Sequence, residues 1–392
     1  MVKGRMNGDL LYGTALRAAW PFDPAVTYLN HGGYGATPKA VLAAQQAWRD
    51  RIERNPTGFL SRELPAALRG AAAAVAARLG AKGEELVFVE NATSGINAVL
   101  RSIALGPGDE IVIAGLAYPA ILKAARFVAA AHGARLVEVA LPLPVQGAAQ
   151  LRAAVAARLG AKTRLVILDH IASASALLWP VAEMIADAHA AGARILIDGA
   201  HAPGQVALDI AALGADWYVG NLHKWYFAPR SCGFLWAAPA AQHDLHPLAI
   251  SHGLDQGFTE EFDWTGTRDF TAALSAPAGI AFHDSLGGER LMARNAALAR
   301  EAAAHLVQAW CTEAAGPPDL FAAMATVRLP HRGEATQERA LGIVRWLASE
   351  HHIEAIVTAD SGALWLRIAA QAYNAMVEYE RLASVIAGSN LP

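Results

Sequence analysis

The chain has 392 residues, a formal net charge of −3, two cysteines, 54% hydrophobic residues and a mean hydropathy of +0.25. That balance gives no basic footprint for nucleic acid, and two cysteines make neither a disulfide framework nor a cysteine-rich metal site. Much of the hydropathy is alanine in helix-like runs such as "AAAAVAARLGA", and no uncharged apolar run approaches the roughly 18–20 residues of a membrane-spanning helix. The first residues, "MVKGRMNGDLLYG", lack the apolar stretch of a secretory signal, so a cytoplasmic protein is expected. The fourteen histidines show no metal-ligand spacing such as H-E-x-x-H, and no metal is expected.

Along the chain, residues 1–60 carry few strand signals and are expected to pack on a small domain and the active site. From residue 61 to 285, short apolar runs alternate with helix-like stretches. "ELVFVE" (85–90) reads as a strand and "TSGINAVLRSIAL" as the helix after it. "EIVIAG" (110–115) precedes the helical "AILKAARFVAAAHGA". "RLVEVA" (135–140), a helix around 148–160, "RLVILD" (164–169), a helix near 180–191, "RILIDG" (194–199), "WYVG" (217–220) and "GFLW" (233–236) follow. Val-, Ile- and Leu-rich strands without alternation, separated by helices, predict a mostly parallel α/β sheet buried on both faces. Gly133, Gly192 and Gly214 each precede an alanine and a strand, as glycines that end helices do. Residues 286–392 change pattern. A long helix begins at "GGERLM", then "MATVRLP" (324–330), the helical "QERALGIVRWLASE", "IEAIVTAD" (353–360) and "ALWLRIAAQAYN" (363–374) predict a small α+β domain.

In a sheet of this kind, function collects at the carboxyl ends of the strands. Five successive strand ends carry polar groups. They are Asn91-Ala92-Thr93-Ser94-Gly95, opening a helix; Tyr118; Asp169, His170, Ser173 and Ser175 in "DHIASASA"; Asp198 and His201 in "DGAHAPG"; and Asn221, His223 and Lys224 in "NLHKW". Each alone reads as a cap or a core group; packing does not account for all five on one edge. The free N–H groups of a helix start suit an anion. Lys224 beside Trp225, Tyr226 and Phe227 is desolvated, which favours a neutral, nucleophilic amine. Asp198 after a buried strand needs a cationic partner. An amine, a carboxylate, an aromatic ring (Tyr118) and a helix start are the parts that pyridoxal 5′-phosphate requires.

The motifs "DGAHAPG" (198–204) and "NLHKW" (221–225) resemble the class V branch of fold-type I pyridoxal-phosphate enzymes. "YLNHGGYG", "NPTGFLSRE", "NATSGIN", "DHIASASALLWP", "DWTGTRD" and "LRIAAQAYN" make the chain most similar to the isopenicillin N epimerase-like group. The resemblance implies an α/β fold with a large, mostly parallel seven-stranded sheet domain and a small C-terminal α+β domain. It implies Lys224 as the Schiff-base lysine, Asp198 as the partner of the pyridinium nitrogen and His201 as a third catalytic residue near the ring. Tyr118 would stack on the ring. Ala92, Thr93, Ser94, Ser173, Asn221 and His223 would complete the cofactor site. Thr267 in "GTRD" would reach the phosphate of a second subunit, hence a homodimer. Asn30, His31 and Tyr34 would line the substrate mouth, with His170 nearby, and Arg367 would clamp the α-carboxylate of an amino-acid substrate.

The shared chemistry is α-proton abstraction by Lys224. Epimerisation is the expected outcome, with carbon–sulfur elimination or transamination on the same scaffold, or a non-catalytic pyridoxal-phosphate binder, as alternatives. Tyr118 and His170 are the candidate acids for the face opposite Lys224. Cys232 and Cys311 read as small core residues, which argues against a desulfurase carrying a persulfide.

Overall fold

The computed structural model describes residues 12–330, 333–389 and 391. Most of the segment read as lacking a signal sequence, residues 1–11, lies outside the described residues. The strands, in chain order, are β1 (Thr27–Tyr28), β2 (Leu86–Val89), β3 (Glu110–Ala114), β4 (Arg135–Val139), β5 (Thr163–Asp169), β6 (Arg194–Gly199), β7 (Trp217–Asn221), β8 (Gly233–Ala237), β9 (Met324–Arg328), β10 (Ile353–Glu354), β11 (Ile356–Asp360) and β12 (Ala363–Ala369).

Seven of them form the large sheet, in the order β2-β8-β7-β6-β5-β3-β4. Its pairs are parallel except those made by β8, which runs against both β2 and β7. The apolar runs form strands, as their composition predicts, because both sheet faces are covered. Val112, Val166, Ile195 and Ile197 pack into one hydrophobic layer, and Ile111, Ile113, Leu165 and Leu196 into the other. One strand departs from that expectation. β4, at the sheet edge, leaves Arg135 and Glu138 exposed. Charged side chains there discourage edge-to-edge pairing. Gly133 and Gly214 end their helices in the left-handed region, at φ 66° and 77°, and Gly192 has φ 79°.

The smaller C-terminal part carries an antiparallel sheet, β11-β12-β9, against the 22-residue helix Glu289–Trp310. "IEAIVTAD", read as one strand, is two. Ile353–Glu354 pairs in parallel with β1, whereas Ile356–Asp360 pairs with β12. Partners in two different sheets break the run at Ala355. The β1 pairing, extended by Leu29 N–H to the Glu354 carbonyl (2.9 Å) and Ala369 N–H to the Leu29 carbonyl (2.8 Å), ties the N-terminal segment to this part and delivers Asn30 beside β12.

Cys232 is buried, as expected, and burial pushes its thiol up from the usual value. Cys311 is a correction: it is exposed. It is the residue just past Trp310, left-handed at φ 52°, where the helix has already ended. Among the described residues, no helix is long and apolar enough to cross a membrane and no cluster of metal-binding side chains occurs.

Candidate active site

A cavity of about 450 Å³ opens where the ends of β5, β6 and β7 meet the start of the helix Ala92–Ser102. Lys224 lies in it, three residues beyond β7. Leu222 and His223 both donate backbone N–H bonds to the Cys232 carbonyl, which closes the turn that carries the lysine. Trp225, Tyr226 and Phe227 are buried behind it. Lys224 itself is 9% exposed, and burial, with the Arg367 charge, pulls its amine down to about 7. Its Nζ is 3.0 Å from His201 Nε2. Burial holds His201 well below the ordinary imidazole value, so the ring is neutral. The other ring nitrogen, Nδ1, is buried with no hydrogen-bond partner among the described residues.

Asp198 lines the same cavity, and its Oδ1 accepts the Ala200 N–H at 2.9 Å. Burial raises its pKa, opposed by that bond and by the Lys224 charge. At the helix start, Asn91 caps through its side chain, accepting from Ser94 N–H (3.0 Å), and Ala92 N–H goes to Asn221 Oδ1 (2.9 Å). Thr93 and Ser94 bring two hydroxyls to the cavity wall, and the Thr93 N–H has no partner among the described residues. An anion at this helix end meets unspent donors and the positive end of the helix dipole. His223 lines the cavity and donates from Nδ1 to the Cys232 carbonyl at 3.1 Å.

Tyr118 (45% exposed), Tyr34 (73% exposed) and Ser173 also line the cavity. Arg367 lies behind this wall. It donates from Nη1 to the Ser173 carbonyl and from Nη2 to Asn30 Oδ1 (2.7 Å). It is 2% exposed, its Nε has no partner, and among the described residues no carboxylate lies within ion-pair distance. A buried guanidinium without a counter-ion is costly to maintain.

Two expected positions differ. His31 does not line the mouth: it is fully buried, with Nδ1 2.8 Å from the Tyr373 hydroxyl and Nε2 2.9 Å from the Lys224 carbonyl. It braces the lysine turn from behind. His170 is also turned away, with Nδ1 2.9 Å from the Tyr218 hydroxyl, and it is not among the residues lining the cavity. Thr267 is exposed and apart from its own chain's cavity; its neighbour Arg268 pairs with Glu90 at 2.7 Å.

Whether the cavity fits the expected cofactor follows from its donors. It has an amine poised to be neutral, a carboxylate at the neighbouring strand end, an aromatic ring and a helix start with unspent donors. Buried polar atoms without partners among the described residues, Nδ1 of His201 and Oδ2 of Asp169, each cost about 1–3 kcal/mol if nothing meets them. The residues fit pyridoxal phosphate.

Comparison with known proteins agrees. Residues 27–339 match the class-V aminotransferase family. The chain belongs to that family. It is similar to L-cysteine desulfhydrase of Arabidopsis thaliana, 30% identical over 92% of this chain and 87% of that protein. It is equally similar to isopenicillin N epimerase of Streptomyces clavuligerus, 31% identical over 93% of this chain and 95% of that protein. Among solved structures, a mutant of C-DES with glycine covalently linked to its PLP cofactor matches with a TM-score of 0.78, covering 95% of this chain and 98% of that one at 24% identity, a likeness of fold. The fold is therefore the fold-type I transferase arrangement expected from the motifs.

One residue of this class-V cavity sits at a strand end and has no role among those the motifs imply. Asp169 lines it, directly beside Asp198 in the β5–β6 register. The signal was present in the sequence: "RLVILD" and "RILID" both end in aspartate.

Proposed function

We propose that this class-V enzyme is a carbon–sulfur lyase that removes the α-proton of an amino acid and expels a sulfur substituent from its β-carbon. The cofactor is pyridoxal 5′-phosphate, which when bound supplies the electron sink that lets an α-proton leave. The observation that carries an amino-acid substrate is Arg367, a buried guanidinium with no carboxylate within ion-pair distance among the described residues. Its hydrogen bonds go only to Ser173, through the carbonyl and the hydroxyl, and to Asn30 Oδ1, so Nε is left without a partner among the described residues, and an incoming α-carboxylate supplies the missing charge.

Lys224 is the base. Burial and Arg367 keep it near neutral at physiological pH, so it can accept a proton without first losing one. His201 Nε2 holds the amine in place. The aromatic residues behind the lysine keep water out, which preserves the neutral form. The same ammonium, once formed, protonates the departing sulfur. This needs one proton carrier on one side of the substrate, and His170, the other expected acid, bonds Tyr218 instead. Neither cysteine is placed to carry sulfur: Cys232 is buried behind the turn and Cys311 is exposed past the end of a C-terminal helix.

Epimerisation is the second reading, favoured by Tyr118, whose partly exposed ring lines the cavity. Incubating the cofactor-loaded enzyme with L-cysteine in deuterated water separates the two. Sulfide and pyruvate release supports the lyase. Exchange of the α-proton with inversion and no sulfide supports the epimerase. No exchange with any amino acid refutes both and leaves a non-catalytic binder. Lys224→Ala should abolish the near-visible absorption band of the bound cofactor; absence of the band in the wild type refutes the cofactor reading. We also read the active form as a homodimer, since Thr267 is exposed and its chain neighbours Thr265 and Arg268 line one surface pocket with the exposed Leu248. Light scattering at working concentration tests this, and a monomer refutes it.

A further inference from the structure

Asp169 is a second buried carboxyl beneath the cavity with no part in the chemistry above. Asp169 and Asp198 are register partners on the neighbouring parallel strands β5 and β6. Strands so paired lie about 4.8 Å apart with their paired side chains on the same face. Both residues are 4% exposed, and both line the cavity. Two carboxylates so close and so dry do not both ionise.

Their surroundings are unequal. Asp198 Oδ1 accepts the Ala200 N–H, whereas Asp169 Oδ2 is buried with no hydrogen-bond partner among the described residues. A hydrogen bond to the anion favours ionisation, so Asp198 is the better anion of the two. The groups that face the pair are few. Lys224, after β7, faces both carboxyls; Tyr218, on β7, faces Asp198; Arg367, on β12, and His201, after β6, face Lys224.

We infer that Asp169 and Asp198 form an acid pair holding one proton between them, and that Asp169 keeps this proton when Asp198 is ionised against the cofactor's ring nitrogen. Asp169 is then a positioning residue. Its O–H is a donor that the Asp198 carboxylate can accept, and its neutrality leaves Asp198 as the single anion under the ring. Burial, followed by the Asp198 charge, pushes Asp169 well above its ordinary value of 3.8, in the same direction. The inference rests on pyridoxal phosphate occupying the cavity only where the ring nitrogen enters, and the Lys224→Ala absorption test checks that separately.

The test uses the full chain in cofactor-free and cofactor-loaded forms. Infrared spectroscopy of the wild type at neutral pH should show the C=O band of a protonated buried carboxyl. Asp169→Asn should lose it. A carboxyl whose folded pKa is raised contributes most to stability below its unfolded value and loses that contribution as pH rises through the folded one. Cofactor-free D169N should therefore melt like the wild type in acid and progressively higher than it as pH rises. D169N should still capture pyridoxal phosphate, because the amide keeps a donor facing Asp198. No protonated-carboxyl band in the wild type, parallel melting profiles at all pH values, or loss of cofactor capture in D169N each overturns the inference. Should D169N fail to fold, the wild-type band and its shift on isotopic labelling of aspartate decide the question.

Discussion

Replacing Arg367 with methionine probes substrate recognition and base strength together. The side chain is buried, so the variant keeps an apolar filler and removes the charge, the fork and the bonds to Ser173 and Asn30. Two charge-assisted hydrogen bonds to a substrate carboxylate are worth about 3–6 kcal/mol together. At about 1.4 kcal/mol per tenfold, kcat/KM for an amino acid should fall by roughly 10²–10⁴. A second effect has the opposite pH signature. Arg367 is one of the causes that hold Lys224 near 7, so its loss lets the amine rise and leaves less neutral base at neutral pH. Part of the lost rate should return as pH is raised. Steady-state rates with L-cysteine across pH, compared with cysteamine, which lacks the carboxylate, measure both effects. Discrimination between the two compounds should collapse in the variant. A loss of less than tenfold, or an equal loss for both compounds, refutes the carboxylate role of Arg367. An unmoved pH profile refutes its influence on Lys224.

Three more outcomes follow from the same geometry. Gly35→Ala places a methyl 1.9 Å from the His223 carbonyl oxygen at a backbone φ of +68°; combined strain and overpacking of about 2–5 kcal/mol should appear in thermal melting, and an unchanged melt contradicts the close packing of the "NHGGYG" loop on the lysine turn. Capture of pyridoxal phosphate by cofactor-free protein needs neutral Lys224, so its rate, followed by stopped-flow absorbance, should climb with pH and level off above about 7; a rate flat below that point contradicts the lowered amine. Cys311→Ser should leave the turnover unchanged, since the thiol is exposed at the end of a C-terminal helix, and a large loss of sulfide release would reopen a persulfide route.

What the sequence determined by itself was the sheet and the residues riding on its ends. Strand positions follow from runs of apolar residues that have only one way to be covered on both faces. Once "RILIDG" and "WYVG" are strands, Asp198 and Lys224 must emerge at one edge, because they adjoin those strands in the chain. Side-chain direction was not available in the same way. His31 looks like a mouth residue beside Asn30 and Tyr34, yet it is committed to Lys224, 193 residues away, and to Tyr373, 342 residues away. His170 was drawn from the cavity by Tyr218 on β7. The run at 353–360 divides because β1 and β12 claim different halves of it. The lone charge of Arg367 and the pairing of Asp169 with Asp198 are likewise properties of what surrounds a group. Those surroundings exist only after distant segments have packed, which is why local pattern identified the lysine and tertiary structure alone decided what holds it, what it faces and which acid beside it keeps a proton.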